Sequence, residues 1–496
     1  MSTVAQREGW IGGMLVSLLL SLAWAVPTRA QQRNTGDMSS APESGAGETN
    51  QQLQQHVNAL ESEVQELREQ VKEMKAVMAL KPVSASSDVA PHDAVDVQAS
   101  SLTSSAATLT PEDRSTLDFL KGTTINAMVD TYYAYNFEQP VGRVNTLRAY
   151  DVLSNAFSLN QADLIVERAP DVNAGRRYGA RIDLQFGQAT ATLQGNPLVE
   201  PRPDIYRNIF QAYGTYVVPL GSGLTVDFGK WASSLGIEGN YTQYQMNYSR
   251  SYWFYFLPFY HMGARVSYPI NKKLTLNYWI VNGTNQTEPT NGFKDELFGV
   301  AITPTKNVSW TINYYFGQDH PDSAVVAVCG PPPVQPGLCF EKITPAPDGK
   351  THIFDSYVTW QTTPKLTLAL EGDYVIQRLF ANSGPGQSST PADVWGGAAY
   401  AKYQLTPRTY LAGRTEYLND NGGLFTGITS YTEALKEVTA TYDFTLANGF
   451  DMRWEFRRDM SNRPIFLTSQ QGVFSTDQNT ATMGVIWWFG RKEGTW

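Results

Sequence analysis

The chain of 496 residues is poor in charged residues, cysteine and histidine, and each shortage argues against a class of protein. Charged residues make up 17% of the chain and the formal net charge is −9, so we expect no nucleic acid partner. The five histidines are scattered and form no metal-ligand pattern, so we expect no metal or cofactor. After residue 30 no segment offers about 20 consecutive apolar residues, which argues against a helical membrane protein.

Aromatic residues and glycine are abundant instead. Aromatics make up 12% of the chain, with 26 Tyr and 12 Trp, and there are 40 Gly. This composition suits β-strands that present one face to lipid and carry aromatic girdles at their ends. A soluble array of β-sandwiches has a similar composition, so composition alone leaves both classes open.

The first 30 residues have the layout of a secretory signal peptide. Arg7 lies in a short polar start, an apolar stretch runs from Ile11 to Leu22, and small residues allow cleavage after Ala25 or Ala30. The apolar stretch is short and interrupted by Gly and Ser, which argues against a permanent membrane anchor. The sequence therefore predicts an exported protein.

The segment up to residue 121 contains one strong pattern. Residues 31–50 are rich in Gln, Ser and Gly and predict a disordered leader. Within 51–81 apolar residues recur at alternating steps of four and three, which predicts a periplasmic α-helical coiled coil, because so narrow a seam requires a partner helix. A lone amphipathic helix is the alternative. Residues 82–109 predict a flexible linker, and a capping Thr followed by Pro predicts a short helix over 110–121.

From residue 123 to 489 the sequence alternates between apolar and polar residues. Along Phe450–Arg457 the even-numbered residues predict a lipid-facing side. The odd-numbered charged residues predict a side that lines water, where exchanges should be tolerated. Trp487 and Phe489 at the end of the last segment resemble the signal read by the barrel-assembly machinery.

This alternation predicts about sixteen antiparallel strands. They lie near 123–137, 157–167, 177–187, 207–218, 223–231, 259–268, 273–283, 296–303, 308–317, 351–361, 366–378, 394–405, 409–418, 434–444, 450–459 and 478–489.

The joins between the predicted strands alternate between short and long. Short joins such as 219–223 and 362–365 are separated by joins rich in Asn, Gly, Ser and Pro. A β-sandwich has no reason to keep this alternation, whereas outer-membrane barrels have short periplasmic turns and long outer loops. The sequence predicts an all-β transmembrane barrel over 122–490 and a C-terminal tail over 491–496, with both termini in the periplasm. Sixteen strands enclose an aqueous channel.

The predicted barrel resembles the β-barrel porin-2 (OmpL-like) family of bacterial outer-membrane proteins. The residues that carry the resemblance are Thr123–Asn126, Tyr132–Phe137, Asn145–Asp151, Gln211–Gly214, Asp227–Lys230, Asn247–Arg250 and Glu455–Asn462. The resemblance extends over 117–489 and implies a porin in the outer membrane, while it implies little about the solute.

Charged residues on the predicted inner face are the candidate pore-lining residues. Acids outnumber bases among them, which predicts a weak cation preference. Alternatively, opposite charges pair along the wall and leave little net field. The candidates are Asp130, Arg181, Asp183, Asp227, Arg265, Glu371, Asp373, Lys402, Arg414, Glu416, Asp451, Arg453, Glu455 and Arg457.

The third long join, Ala232–Pro258, is rich in aromatic residues and has two possible positions. Either the join folds inward and narrows the channel, or its residues Trp253–Phe256 form an aromatic girdle at the outer rim. The pattern favours the girdle for these four residues.

The two cysteines and one histidine are the residues that could carry covalent or catalytic chemistry. Cys329 and Cys339 are the only cysteines, and in an exported protein their spacing predicts one disulfide that closes a loop. His261 lies inside a predicted strand on the inward face, but no Ser and carboxylate are predicted beside it, so we expect no enzyme.

The sequence as a whole predicts an outer-membrane porin for passive diffusion of small hydrophilic solutes. The alternative is a structural barrel that tethers the cell envelope through its coiled coil. The expected partners are outer-membrane lipids, the barrel-assembly machinery and further copies of the chain. We favour a trimer, associated through both barrel and coiled coil.

Overall fold

The computed structural model describes residues 122–194, 200–329, 339–346, 349–378 and 391–490. The predicted signal peptide, leader, coiled coil, linker and 110–121 helix lie outside the described residues, as does the 491–496 tail. Within the described residues, no helix is both long and apolar enough to span a membrane.

Sixteen antiparallel strands close into one barrel, as predicted. Alternating polar and apolar residues form these strands because each strand has one face toward the lumen and one away from it. The strands are β1 (Thr124–Asn136), β2 (Ala156–Arg168), β3 (Tyr178–Phe186), β4 (Ile209–Val218), β5 (Leu224–Ala232), β6 (Tyr260–Asn271), β7 (Leu274–Val281), β8 (Asp295–Thr305), β9 (Val308–Gly317), β12 (Thr351–Gln361), β13 (Leu366–Gln377), β14 (Ala392–Thr406), β15 (Thr409–Asn421), β16 (Glu433–Ala447), β17 (Phe450–Ser461) and β20 (Asp477–Gly490).

The barrel closes where its first strand meets its last. β1 pairs with β20 in a continuous antiparallel register from Asn126 opposite Gly490 to Asn136 opposite Thr480. Every other barrel strand pairs with its neighbour along the chain, except that β9 pairs with β12 and β17 pairs with β20, each across two intervening short strands. All sixteen strands were predicted with boundaries within three residues of those observed.

Short and long connections alternate around the barrel. The short ones, such as 272–273 and 448–449, lie at the rim where β1 begins and β20 ends. The opposite rim carries long loops, among them 233–259 between β5 and β6, which we name the third loop.

The loops contain secondary structure that the sequence analysis did not predict. Two hairpins are present, β10 (Ser323–Cys329) with β11 (Cys339–Pro345) and β18 (Phe466–Leu467) with β19 (Phe474–Ser475). Three short α-helices are α1 (Gln188–Gln194), α2 (Pro203–Tyr206) and α3 (Tyr252–Phe256), and 3₁₀ turns cover Val141–Arg143 and Thr242–Tyr244. Cys329 and Cys339 are direct register partners at the end of the first hairpin.

The two faces of the barrel differ sharply in polarity. Outward residues such as Leu370, Phe456 and Trp487 are large, apolar and exposed, as a lipid-facing surface requires. Inward residues are mostly polar or charged, and Asp130 and Glu437 are completely buried. Because the inner face is buried while no described residue covers the outer face, another part of the chain must pack against the inner face.

That filling comes from the third loop. An apolar cluster joins its Leu235, Tyr252, Trp253 and Leu257 to inner-wall residues of β5, β7, β8, β9, β12, β13, β14, β15 and β16. The interior of the barrel is therefore packed like a protein core on this side rather than left as an empty cylinder.

Candidate functional site

The third loop folds into the lumen, so the expectation of an outer girdle for Trp253–Phe256 is wrong. Tyr252 and Trp253 are completely buried, and Phe254 is buried as well. Ser251 caps helix α3, since its hydroxyl accepts a hydrogen bond from the Phe254 backbone N–H at 2.9 Å. This cap allows the aromatic run to coil into a compact turn that packs against the wall.

A glycine in the wall makes room for the loop. A Cβ atom added to Gly484 on β20 would lie 2.3 Å from the ring of Tyr248. The Tyr248 hydroxyl donates a hydrogen bond to Asp130 at 2.7 Å. Burial raises the pKa of Tyr248 well above its usual value, and Asp130 adds to this, so the hydroxyl stays protonated as a donor.

Three arginines, one on β15 and two on β17, hold the backbone of the third loop. Arg414 donates to the Ser249 carbonyl at 2.8 Å, and Arg453 donates to the Thr242 carbonyl at 2.8 Å. Arg457 donates to the carbonyl of Arg250. Each arginine is also paired with a wall carboxylate, which keeps its buried charge compensated.

Acidic residues of the wall hold the backbone N–H groups of the same loop. Glu455 accepts from Tyr248 at 2.6 Å and from Ser249 at 2.9 Å, and Glu416 accepts from the Tyr252 N–H at 2.7 Å. Asp130 accepts from the Thr242 hydroxyl at 2.6 Å. Many of the candidate pore-lining charges thus face inward, but they are buried as anchors of the third loop.

Four of the remaining candidates form two ion pairs along the wall. Arg181 pairs with Asp183 at 2.8 Å, and Arg265 pairs with Asp227 at 2.7 Å. Lys402 lies 3.9 Å above the centre of the Tyr410 ring. Asp451 is buried on the same inner wall. These contacts agree with the alternative in which opposite charges pair and leave a small net field.

Glu371 and Asp373 are brought together with a residue that the sequence analysis missed. Asp355 on β12 is the direct register partner of Asp373 on β13. One carboxylate oxygen from each of these three residues lies within 4.8 Å of the others, and all three residues are buried. The alternation along β12 placed Asp355 on the inner face and could have identified it.

Other residues that the sequence analysis missed lie in loops or beside them. Arg148 pairs with Asp459 at 2.7 Å, and the Tyr252 hydroxyl donates to the same carboxylate at 2.7 Å. Glu238 pairs with Arg414 at 2.8 Å. Alternation can assign Asp459 to a face, but it carries no information on how loop residues such as Arg148 and Glu238 fold.

His261 is the only histidine with a serine partner among the described residues. Its Nε2 lies 3.1 Å from the Ser233 hydroxyl, a contact that the sequence analysis did not predict. The other ring nitrogen faces the Gly283 carbonyl at 3.2 Å instead of a carboxylate. The imidazole is completely buried, so this pair has the geometry of a packing contact between the third loop and the wall.

The chain matches a family profile and is similar in structure to solved outer-membrane proteins. A profile of the family described as "Putative beta-barrel porin-2, OmpL-like" matches residues 122–489. No curated protein matches the chain by sequence. The outer membrane channel DcaP of Acinetobacter baumannii is similar in structure at 10% identity, with a TM-score of 0.46 over 74% of this chain and 97% of that one. The anion-selective porin from Comamonas acidovorans has 10% identity and a TM-score of 0.45, over 74% and 99%.

Proposed function

The chain belongs to the β-barrel porin-2 (OmpL-like) family, and from this premise we propose that it forms a channel for passive diffusion of small hydrophilic solutes across the bacterial outer membrane. The observation that carries the proposal is the closed barrel of sixteen strands with an apolar outer face and a polar inner face. A barrel of this strand number encloses a lumen wide enough for an aqueous path. Most of the candidate inner-wall residues are buried, so they support the walls of that path.

The third loop is the element that limits the size of the solute. Its backbone is held by β15 through Arg414 and by β17 through Glu455 and Arg457. Asp130 on β1 holds the side-chain hydroxyls of Thr242 and Tyr248. A loop fixed at several points around the circumference narrows the path without a moving gate. Solutes pass beside it, and small ones pass fastest.

The charge of the wall gives the channel a weak preference for cations. Acids outnumber bases among the inward candidates, but most of the bases are neutralised by direct ion pairs. Because paired charges contribute little net field, we expect a modest preference rather than strict selectivity.

A liposome-swelling assay tests the diffusion function and the size limit together. Liposomes with the refolded full-length protein should swell in pentoses faster than in hexoses, and slowest in disaccharides. Swelling no faster than in protein-free liposomes would contradict the proposal and favour the structural barrel.

Gly484→Ala is the variant that tests the role of the third loop. The new Cβ displaces the Tyr248 ring, so the ratios of the swelling rates among the sugars should change while the barrel still folds. Gly372→Ala is the matched control, because its nearest neighbouring atom would lie 3.9 Å away. If both variants keep the wild-type rates for every sugar, the third loop does not set the size limit.

The proposal includes four further points. The chain acts as a channel and not as an enzyme, because the Ser233–His261 pair is buried and its histidine faces a backbone carbonyl. The rim with short turns and both barrel ends faces the periplasm. The chain assembles as a homotrimer, by analogy with general porins of this size, although Val at a and Leu at d in the pattern of residues 51–81 favour a two-stranded coiled coil. Membrane insertion depends on the barrel-assembly machinery.

A further inference from the structure

Three buried carboxylates form a compact group on the inner wall, away from the arginines that hold the third loop. Asp355 lies on β12, and Glu371 and Asp373 lie two residues apart on β13, so all three side chains share the inner face. Their exposed fractions are 2%, 7% and 5%. One oxygen of each lies within 4.8 Å of the others.

The hydrogen bonds of the group leave Asp373 open. Asp355 accepts from the Gly236 N–H at 3.1 Å and from the Asn313 amide at 2.8 Å. Glu371 accepts from the Ile237 N–H at 3.0 Å and from the Tyr400 hydroxyl at 3.3 Å. Asp373 contacts the Asp355 side chain at hydrogen-bond distance, but both of its carboxylate oxygens are buried and neither accepts from a donor outside the group in the described part of the chain.

No ion pair of the described residues includes any of the three carboxylates, whereas five buried arginines of the wall each pair with a carboxylate elsewhere. Three adjacent negative charges in a buried site repel one another and lose their hydration. Only a bound cation or bound protons can compensate them. The lack of outside donors to Asp373 favours a cation over protons, because a proton shared with a neighbouring carboxylate would leave at least one Asp373 oxygen without a partner.

We propose that Asp355, Glu371 and Asp373 bind one hard divalent cation of the Ca²⁺ type. Carboxylate oxygens are the ligands that such cations prefer, whereas Zn²⁺ prefers nitrogen and sulfur. Ca²⁺ tolerates irregular geometry and bidentate carboxylates, while Mg²⁺ requires near-ideal octahedral geometry and retains its waters. Side chains fixed on two paired strands suit the more tolerant ion.

The cation also stabilises the start of the third loop. Gly236 and Ile237 donate their N–H groups to two of the three proposed ligands. A cation that fixes the carboxylates therefore fixes the acceptors of these two loop residues. This consequence concerns stability, so it holds whether or not the channel conducts.

Calcium titration of the full-length protein tests the site. The protein is refolded in detergent free of lipopolysaccharide, treated with EDTA, dialysed and titrated with CaCl₂ by calorimetry. We expect one saturable site per chain and weaker binding of MgCl₂. Asp373→Asn should weaken the affinity for Ca²⁺ by at least about tenfold. Asp451→Asn, which removes a buried inward carboxylate elsewhere on the wall, should leave it unchanged.

Thermal unfolding of the variant Asp355→Asn/Glu371→Gln/Asp373→Asn distinguishes the cation from shared protons. In EDTA this variant should melt above the wild type, because three repelling charges are gone. In saturating CaCl₂ the order should reverse, because only the wild type gains from binding. The proposal is overturned if the wild type binds no Ca²⁺, if the triple variant binds it equally well, or if the order of melting temperatures is the same in both buffers.

Discussion

Arg453 shows at the scale of one residue how the wall and the third loop depend on each other. The side chain pairs with Asp443 at 2.8 Å and donates to the Thr242 carbonyl at 2.8 Å. The expectation that exchanges at this position are tolerated overlooked these contacts. Alternation along β17 predicted which way Arg453 points, but it could not predict that a distant loop covers the side chain.

Arg453→Gln should destabilise the folded barrel. The substitution leaves the buried Asp443 without its cation and removes a loop anchor, which should cost about 3–5 kcal/mol in the free energy of unfolding. Denaturant titration in detergent micelles measures this loss. Arg458→Gln is the control on the same strand, where the exposed pair with Asp477 should contribute at most about 1 kcal/mol. Equal losses in both variants would show that the inward pair has no special role.

Trp454 is the neighbour of Arg453 on the opposite face, and its side chain is exposed toward lipid beside Tyr442. Trp454→Arg places a charge against the membrane and should cost about 2–4 kcal/mol, so the yield of folded barrel should fall. The heat-dependent shift in electrophoretic mobility measures that yield. Trp454→Phe keeps an apolar ring and should fold as the wild type does. A normal yield for Trp454→Arg would mean that this face does not meet lipid.

The barrel strands were predictable at the scale of single elements, whereas the loops were not. Each strand crosses from one rim to the other with a two-residue period, so the local sequence carries its position. The third loop is positioned by side chains more than 100 residues away in the chain, such as Glu416, Arg453 and Glu455. No local pattern encodes such contacts, and the aromatic run Trp253–Phe256 fits a buried turn as well as a girdle.

The hairpin of β10 and β11 supports the predicted disulfide. Cys329 and Cys339 are paired directly across it. Paired residues of antiparallel strands have Cα atoms about 4.5–5.5 Å apart, which lies within the range that a disulfide spans.

We predict that mass spectrometry of the exported protein, alkylated before digestion, finds the two cysteines linked. Loss of the bridge in Cys329→Ser should increase proteolytic cleavage of the loop between β9 and β12 while the barrel stays resistant, since the bridge closes only that loop. Alkylation of both thiols in the untreated protein would contradict the prediction.

At the scale of the whole molecule, the charged residues of the inner wall form two groups with different contacts. Composition alone could not assign a residue to either group. Charges on β15 and β17 hold the third loop through the ion pair of Arg414 with Glu238 and through backbone hydrogen bonds. The carboxylates on β12 and β13 form a separate acidic group. The two-residue period predicts that both groups face inward. It does not predict their partners, because these depend on the closed barrel and on the loop inside it.

Single-channel recording in planar lipid bilayers tests the central claim most directly. The full-length protein is refolded, its folded state is checked by heat-dependent electrophoretic mobility, and it is added to a bilayer in KCl. The account predicts discrete, equal conductance steps with a reversal potential that indicates a weak cation preference. Folded protein that inserts into the bilayer without any conductance step would contradict the account and leave a closed structural barrel.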